Sequence, residues 1–364
     1  MIAINDVGRN QLALMPALRA ACERVLSSGW FVLGPEVRDF EAAFAAYCNS
    51  PHCITVANGT DALALSLIAV GVQQGDAVVT VANAGMYATT AIHACGAMPV
   101  FVDVDHNSMN MALAAFENVL AMRPRAVIVT HLYGNMADIA AIISIAHKAG
   151  IAVIEDCAQA HGAHIDKQYA GTFGDLGCFS FYPTKNLGAF GDGGAIVTAN
   201  NAYAERLRQL RQYGWASKYC VEVAGGRNSR LDELQAALLL AKLPSLDANN
   251  MRRREIADRY ASGIQNAHIE VPKRGGDADV VHLFVVRSQY REQLALHMLS
   301  LGIQTDIHYP LPDHRQPAYA AQHATVALPV TERLCNEILT LPCHPALNEE
   351  EIARVIDVCN QFSP

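Results

Sequence analysis

A chain of 364 residues, 51% hydrophobic and 17% charged, is too long for one small core and too apolar for a disordered one. The net charge of −8, with no Lys/Arg cluster, argues against a binder of phosphate backbones, so no nucleic-acid partner is expected. Ten cysteines without a C-x-x-C pair read as buried, reduced thiols and point to the cytoplasm.

The first residues, Met1-Ile2-Ala3-Ile4-Asn5-Asp6, show no basic region followed by an apolar stretch, so no secretory signal is expected. No apolar run reaches the ~20 residues that span a bilayer, so no membrane partner is expected either. From about residue 50 to 200, short apolar runs alternate with amphipathic ones. Strands are predicted at 53–56, 77–81, 100–102, 126–130, 152–155, 178–181 and 195–198, with helices at 61–69, 88–94, 113–122 and 137–149. This alternation predicts an α/β fold with a mostly parallel sheet covered on both faces, whose ligand sits at the carboxyl ends of the strands. After Arg230 the pattern changes to helices at 231–243 and 251–261, a strand near 282–287, a helix at 292–301 and a segment at 304–309. A large domain over 1–245 and a smaller α+β domain over 246–364 are expected.

Chemistry-bearing residues fall at the strand ends. In Asn58-Gly59-Thr60-Asp61 a strand ends, Gly59 turns, and Thr60 is expected to cap a helix whose free N–H groups suit a phosphate. A capped helix after a β-turn is the plainer reading. Asp156 follows an apolar strand, where a carboxylate has few structural uses; beside a pyridine ring it would keep the nitrogen protonated. Helix capping or metal binding would also explain it, although the local sequence offers too few further ligands for a metal. Gln159, one turn on, could donate to a ring oxygen, and the Ser180 hydroxyl could reach the same phosphate as Thr60. Lys185 lies in a turn of small residues, where partial desolvation would lower its pKa and free an amine for a Schiff base. Each of these groups meets one part of pyridoxal 5′-phosphate (PLP). Cys343-His344 lacks a second ligand pair, so no metal site is predicted.

These residues also resemble a family, the DegT/DnrJ/EryC1/StrS sugar aminotransferases, over nearly the whole chain. The resemblance rests on Ser28 through Pro35, Asn58 through Leu63, Pro99 through Val104, Glu155 through Ala163, Phe179 through Gly194, Asn228 through Ala237, and Ile307 through Pro310. It implies the PLP-dependent transferase fold of type I with a seven-stranded, mostly parallel sheet. It also implies catalytic roles for Lys185 as the Schiff-base lysine and Asp156 as partner of the pyridine nitrogen. Gln159 would then touch the ring hydroxyl, while Gly59, Thr60 and Ser180 hold the phosphate. Asn228 would reach the phosphate of a partner subunit, which implies a homodimer with shared active sites, and His308 and Tyr309 would border the sugar pocket. Where relatives show Thr, an aromatic, any residue, Ala and Thr, this chain reads Gly85-Met86-Tyr87-Ala88-Thr89. Strict alignment places Met86 against the cofactor, but Tyr87 is the nearby aromatic and is expected there. The implied reaction is a two-stage transamination from L-glutamate to a nucleotide-linked keto sugar, at C3 of a dTDP-3-oxo-6-deoxyhexose. Amination at C4 and a non-catalytic sensor are the alternatives; sugar dehydratases of this fold carry histidine where Lys185 stands.

Overall fold

The computed structural model describes residues 1–273 and 276–364. Short runs rich in Val, Ile and Ala form a seven-stranded sheet. Its order is His52–Val56, Gly194–Thr198, Leu176–Ser180, Ala152–Asp156, Ala126–Thr130, Ala77–Val81 and Met98–Val102. Gly194–Thr198 runs antiparallel to both neighbours, and the other pairings are parallel.

Parallel strands must be covered on both faces, and the alternation of side chains shows how. Val78, Ala126, Ile128 and Ile154 turn toward the helix Gly59–Ala69 in one buried cluster. Val79, Val127, Val129 and Val153 turn toward the helix Ile139–Lys148 in another. Each fully buried Val or Ile contributes about 1.5–3 kcal/mol, so slipping one strand by a residue would exchange the two sets and is not tolerated. The carboxyl ends of His52–Val56, Ala77–Val81, Ala152–Asp156 and Leu176–Ser180 therefore open along one edge.

In the C-terminal third, Phe284–Arg287 pairs antiparallel with Ile338–Leu341. The helices Arg291–Ser300 and Glu349–Gln361 pack there around a separate cluster that includes Tyr260, Phe284, Leu339 and Val355. The long helix Leu246–Gly263 contributes to two buried clusters: Leu246 packs with Phe181 and Leu239, and Ile256 and Tyr260 with Phe284 and Val355. Some elements differ from expectation. The helix predicted at 113–122 is split into Leu113–Glu117 and a 3-10 turn at Leu120–Met122. The helices Met15–Ser28, Pro35–Tyr47, Asn201–Leu210 and Glu349–Gln361 were not predicted. No helix among the described residues is long and apolar enough to cross a membrane.

Candidate active site

A cavity of about 490 Å³ lies at the open edge of the sheet. Gly59, Thr60, Tyr87, Asp156, Ser180, Lys185, His308 and Tyr309 line it, so the fold gathers eight of the ten residues singled out from sequence. Gln159 stands behind the wall, bonded to Tyr309, and Asn228 does not line the cavity.

At one end, the chain leaves His52–Val56 and turns directly into the helix Gly59–Ala69. The cap is Asn58, not Thr60: the Asn58 side chain accepts the Asp61 N–H at 2.8 Å, and its backbone is extended. Thr60 sits in the first helical turn instead, which leaves its hydroxyl for the cavity. Early N–H groups of a helix have no partner within it, so those of Gly59 and Thr60 are available to an anion. Close approach explains the glycine. A Cβ at residue 59 would lie 2.7 Å from the Ser180 Cβ.

The middle of the cavity holds Asp156 and Lys185. Asp156 is 5% exposed, and its Oδ1 accepts the Ala158 N–H at 3.1 Å. Burial raises its pKa, while that hydrogen bond and the nearby Lys185 lower it. Burial also brings the Lys185 ammonium down to about 8, with Asp156 acting in the opposite direction. Each group thus makes the other's charge less costly.

Behind Asp156 the polar groups are tightly paired. Glu155 accepts the backbone N–H groups of Gly171, Phe173 and Gly174, and the His131 Nε2–H donates to it at 2.9 Å. His131, Glu155 and Cys157 form the one group of metal-ligand type among the described residues, but those hydrogen bonds already occupy the carboxylate. Gln159 accepts the Tyr133 N–H at 2.6 Å and donates to the Tyr309 hydroxyl at 3.2 Å. His308 bonds Thr340 Oγ1 through Nδ1 at 2.9 Å, and burial lowers its pKa.

Tyr87, rather than Met86, lines the cavity, 48% exposed at the start of the helix Tyr87–Ala94. Asn228 lies on the exposed surface beside Gln212. Sequence reading missed His282, Asp306 and Thr340, which also line the cavity. The His282 ring, buried but for one edge on the cavity, meets Asn186 Oδ1 at 3.0 Å, and burial holds its pKa well down. Thr340 lies inside a strand and Asp306 beside it, where no local signal marks a site.

The DegT/DnrJ/EryC1/StrS aminotransferase family matches residues 14–360. The chain is 45% identical over 363 residues to the dTDP-3-amino-3,6-dideoxy-alpha-D-galactopyranose transaminase of Aneurinibacillus thermoaerophilus, covering 100% of this chain and 99% of that one. Its fold is similar to the crystal structure of S. venezuelae DesV in complex with ketimine intermediate, with a TM-score of 0.95, 41% identity, and 99% and 97% of the two chains covered. It is also similar to the structure of NtdA from Bacillus subtilis with bound cofactor PMP, at a TM-score of 0.91 and 30% identity, covering 97% of this chain and 83% of that one. With its length so nearly spanned, the chain belongs to the DegT/DnrJ/EryC1/StrS aminotransferase family.

Proposed function

We propose that this chain is a PLP-dependent aminotransferase that moves an amino group from L-glutamate to C3 of a dTDP-linked 3-oxo-6-deoxyhexose. The observation that carries the reading is the meeting of Lys185, Asp156 and the Gly59–Ser180 cradle in one cavity. The position on the sugar and the dTDP group rest on the name of the 45% identical relative.

The donor set fits the cofactor. Gly59 leaves room at a helix start beside two hydroxyls, as a phosphate requires. Asp156 has one oxygen on the Ala158 N–H and is raised by burial, so a ring N–H would supply the partner it lacks. The Lys185 amine faces the same space.

PLP, when bound, supplies a protonated pyridine ring that takes up the electron pair left at carbon when a proton departs. Asp156 would hold the ring N–H and so keep that nitrogen cationic. The Lys185 amine would hold the cofactor's aldehyde end and, once freed by an incoming amine, would accept and release a proton on Nζ. With its pKa brought down to about 8, the amine is free often enough near neutrality to do this. The Thr60 and Ser180 hydroxyls and the first helical N–H groups would hold the phosphate. Tyr87 would face the cofactor, Gln159 positions Tyr309 through their hydrogen bond, and His308 and Tyr309 would border the sugar.

Two further elements belong to the same proposal. Asn228, exposed and away from its own chain's cavity, would complete the phosphate site of a second copy in a homodimer. The domains would divide near 245, and the enzyme would work in the cytoplasm. Incubation with glutamate and a panel of nucleotide-linked 3- and 4-keto sugars tests the reading. Amine at C3 is expected; amine at C4 alone would overturn the regiochemistry and leave the cofactor assignment standing.

A further inference from the structure

We propose that Asp313 is a positioning residue for this reaction: it holds the turn Gly85-Met86-Tyr87 from the C-terminal part of the chain, so that the Tyr87 ring faces the cavity. The inference rests on the reading that the cavity takes PLP.

The helix Tyr87–Ala94 begins without a local cap. Met86 stands at the cap position with φ 71, a left-handed backbone that L side chains rarely adopt, and a thioether is too weak an acceptor to replace a Ser or Asp oxygen. The missing acceptor comes from far along the chain. Asp313 Oδ1 accepts the Met86 N–H at 2.9 Å, and Oδ2 accepts the Thr89 hydroxyl at 2.5 Å. The Asp313 N–H in turn donates to the Ala82 carbonyl at 2.8 Å. One residue thus grips the segment after the strand Ala77–Val81 at positions 82, 86 and 89.

The opposite side of the turn is fixed by Tyr309. Gly85 has φ 78, and a Cβ there would lie 2.8 Å from the Tyr309 ring, which is therefore seated directly on the turn. The Tyr87 ring stands edge-on to Tyr309, with centroids 6.0 Å apart. Because Tyr87 is half exposed, core packing does not set its place; the backbone of the turn and the contact with Tyr309 do. Asp313 is 1% exposed and makes no ion pair among the described residues. Burial raises its pKa to about 6. A neutral cap would avoid that cost, and holding an ionised carboxylate here secures two donors at once.

The test is a double-mutant cycle on the PLP dissociation constant of the cofactor-free protein, read by absorbance titration. Asp313→Ala is expected to weaken PLP about tenfold when Tyr87 is present and less than about twofold in a Tyr87→Ala background. Thr89→Val, which removes one of the two donors and leaves the carboxylate, should show the same dependence on Tyr87 with a smaller loss. Asp313→Asn should stay within about threefold of the parent, because its Oδ1 still accepts from Met86 and its amide can donate to Thr89 Oγ1. Equal weakening in both backgrounds, or none with Tyr87 present, would overturn the role of Asp313 alone. A parent chain that binds no PLP would overturn the cofactor reading, and this proposal with it.

Discussion

The side-chain amide of Gln159 donates to the hydroxyl of Tyr309 at 3.2 Å, tying the loop after Asp156 to a segment 150 residues away. The other end of the same amide accepts the Tyr133 N–H at 2.6 Å. Gln159→Ala would leave that buried N–H unpaired, a loss of about 1–3 kcal/mol, whereas Tyr309→Phe removes one ordinary bond worth about 0.5–1.5 kcal/mol. Urea unfolding of the two variants should rank them in that order. Equal losses would mean that the Tyr133 N–H finds another acceptor.

The parts legible in sequence are those set by neighbours along the chain. Buried strands announce themselves by runs of Val and Ile, and a glycine or carboxylate at a strand end is placed by the strand itself. Asp156 and Lys185 were therefore within reach. The cap was not. Asn58 and Thr60 both suit a helix start, and Gly59, the first helical residue, is seated against Ser180 at the end of a strand far along the chain, which no local pattern announces. Thr340 and Asp306 reach the cavity through pairing with segments distant in sequence, and His282 through its bonds to Asn186 and Tyr133, none of which a local pattern encodes. The break at Asn118 within the helix expected over 113–122 follows no Gly or Pro. Residues 113–122 are apolar except for Glu117 and Asn118, and apolar residues stand on both sides of that pair, so periodicity alone gave no boundary.

Gly59→Ala tests the cradle. The added methyl would meet the Ser180 side chain at 2.7 Å, closer than carbon atoms approach, and must push the helix start away from the strand end. Cofactor affinity is expected to fall about tenfold or more, the equivalent of about 1.4 kcal/mol, by absorbance titration. Unchanged affinity would place the phosphate elsewhere.

Glu233 caps a helix from a distant part of the chain. Its Oε1 accepts the N–H groups of Gly34 at 2.7 Å and Val37 at 3.0 Å, and its Oε2 accepts that of Glu36 at 2.9 Å. The helix Pro35–Tyr47 is thereby fixed to the helix Glu233–Lys242. In Glu233→Gln the amide nitrogen would confront one of these donors, so a loss of about 1–3 kcal/mol in unfolding free energy is expected, and more for alanine. A glutamine variant as stable as the parent would mean that the third N–H is satisfied by water.

Lys185 gives a prediction in pH. Burial lowers its pKa from the usual 10.5 to about 8. Between those values the unfolded chain keeps the proton and the folded chain releases it, so this residue's contribution to stability rises with pH across the window and is least favourable below 8. The buried Lys242 is lowered to about 8 as well, so the informative quantity is the difference between the parent and Lys185→Met. In cofactor-free protein the variant should be the more stable at pH 7, with the gap narrowing between pH 8 and 10.5. A gap that does not move with pH would show that Lys185 is solvated in the folded state.

Asp156 is where stability and function pull apart. Burial raises its pKa, so the unfolded chain ionises more readily than the folded one, and its contribution to stability falls as pH climbs through the ordinary value of 3.8 and beyond. Asp156→Asn keeps the shape and can still accept the Ala158 N–H, yet it carries no charge to bury. Without cofactor, the variant should therefore be at least as stable as the parent at pH 7. Catalysis should move the other way, because a neutral amide cannot hold the ring nitrogen cationic. Turnover with glutamate is expected to fall on the order of 10²–10³-fold, as when other preorganised electrostatic partners are removed from an active site. PLP should remain bound through the phosphate end. A variant that kept its turnover would show that the ring nitrogen lies away from Asp156. One that lost turnover together with stability would show that the carboxylate serves the fold rather than the chemistry.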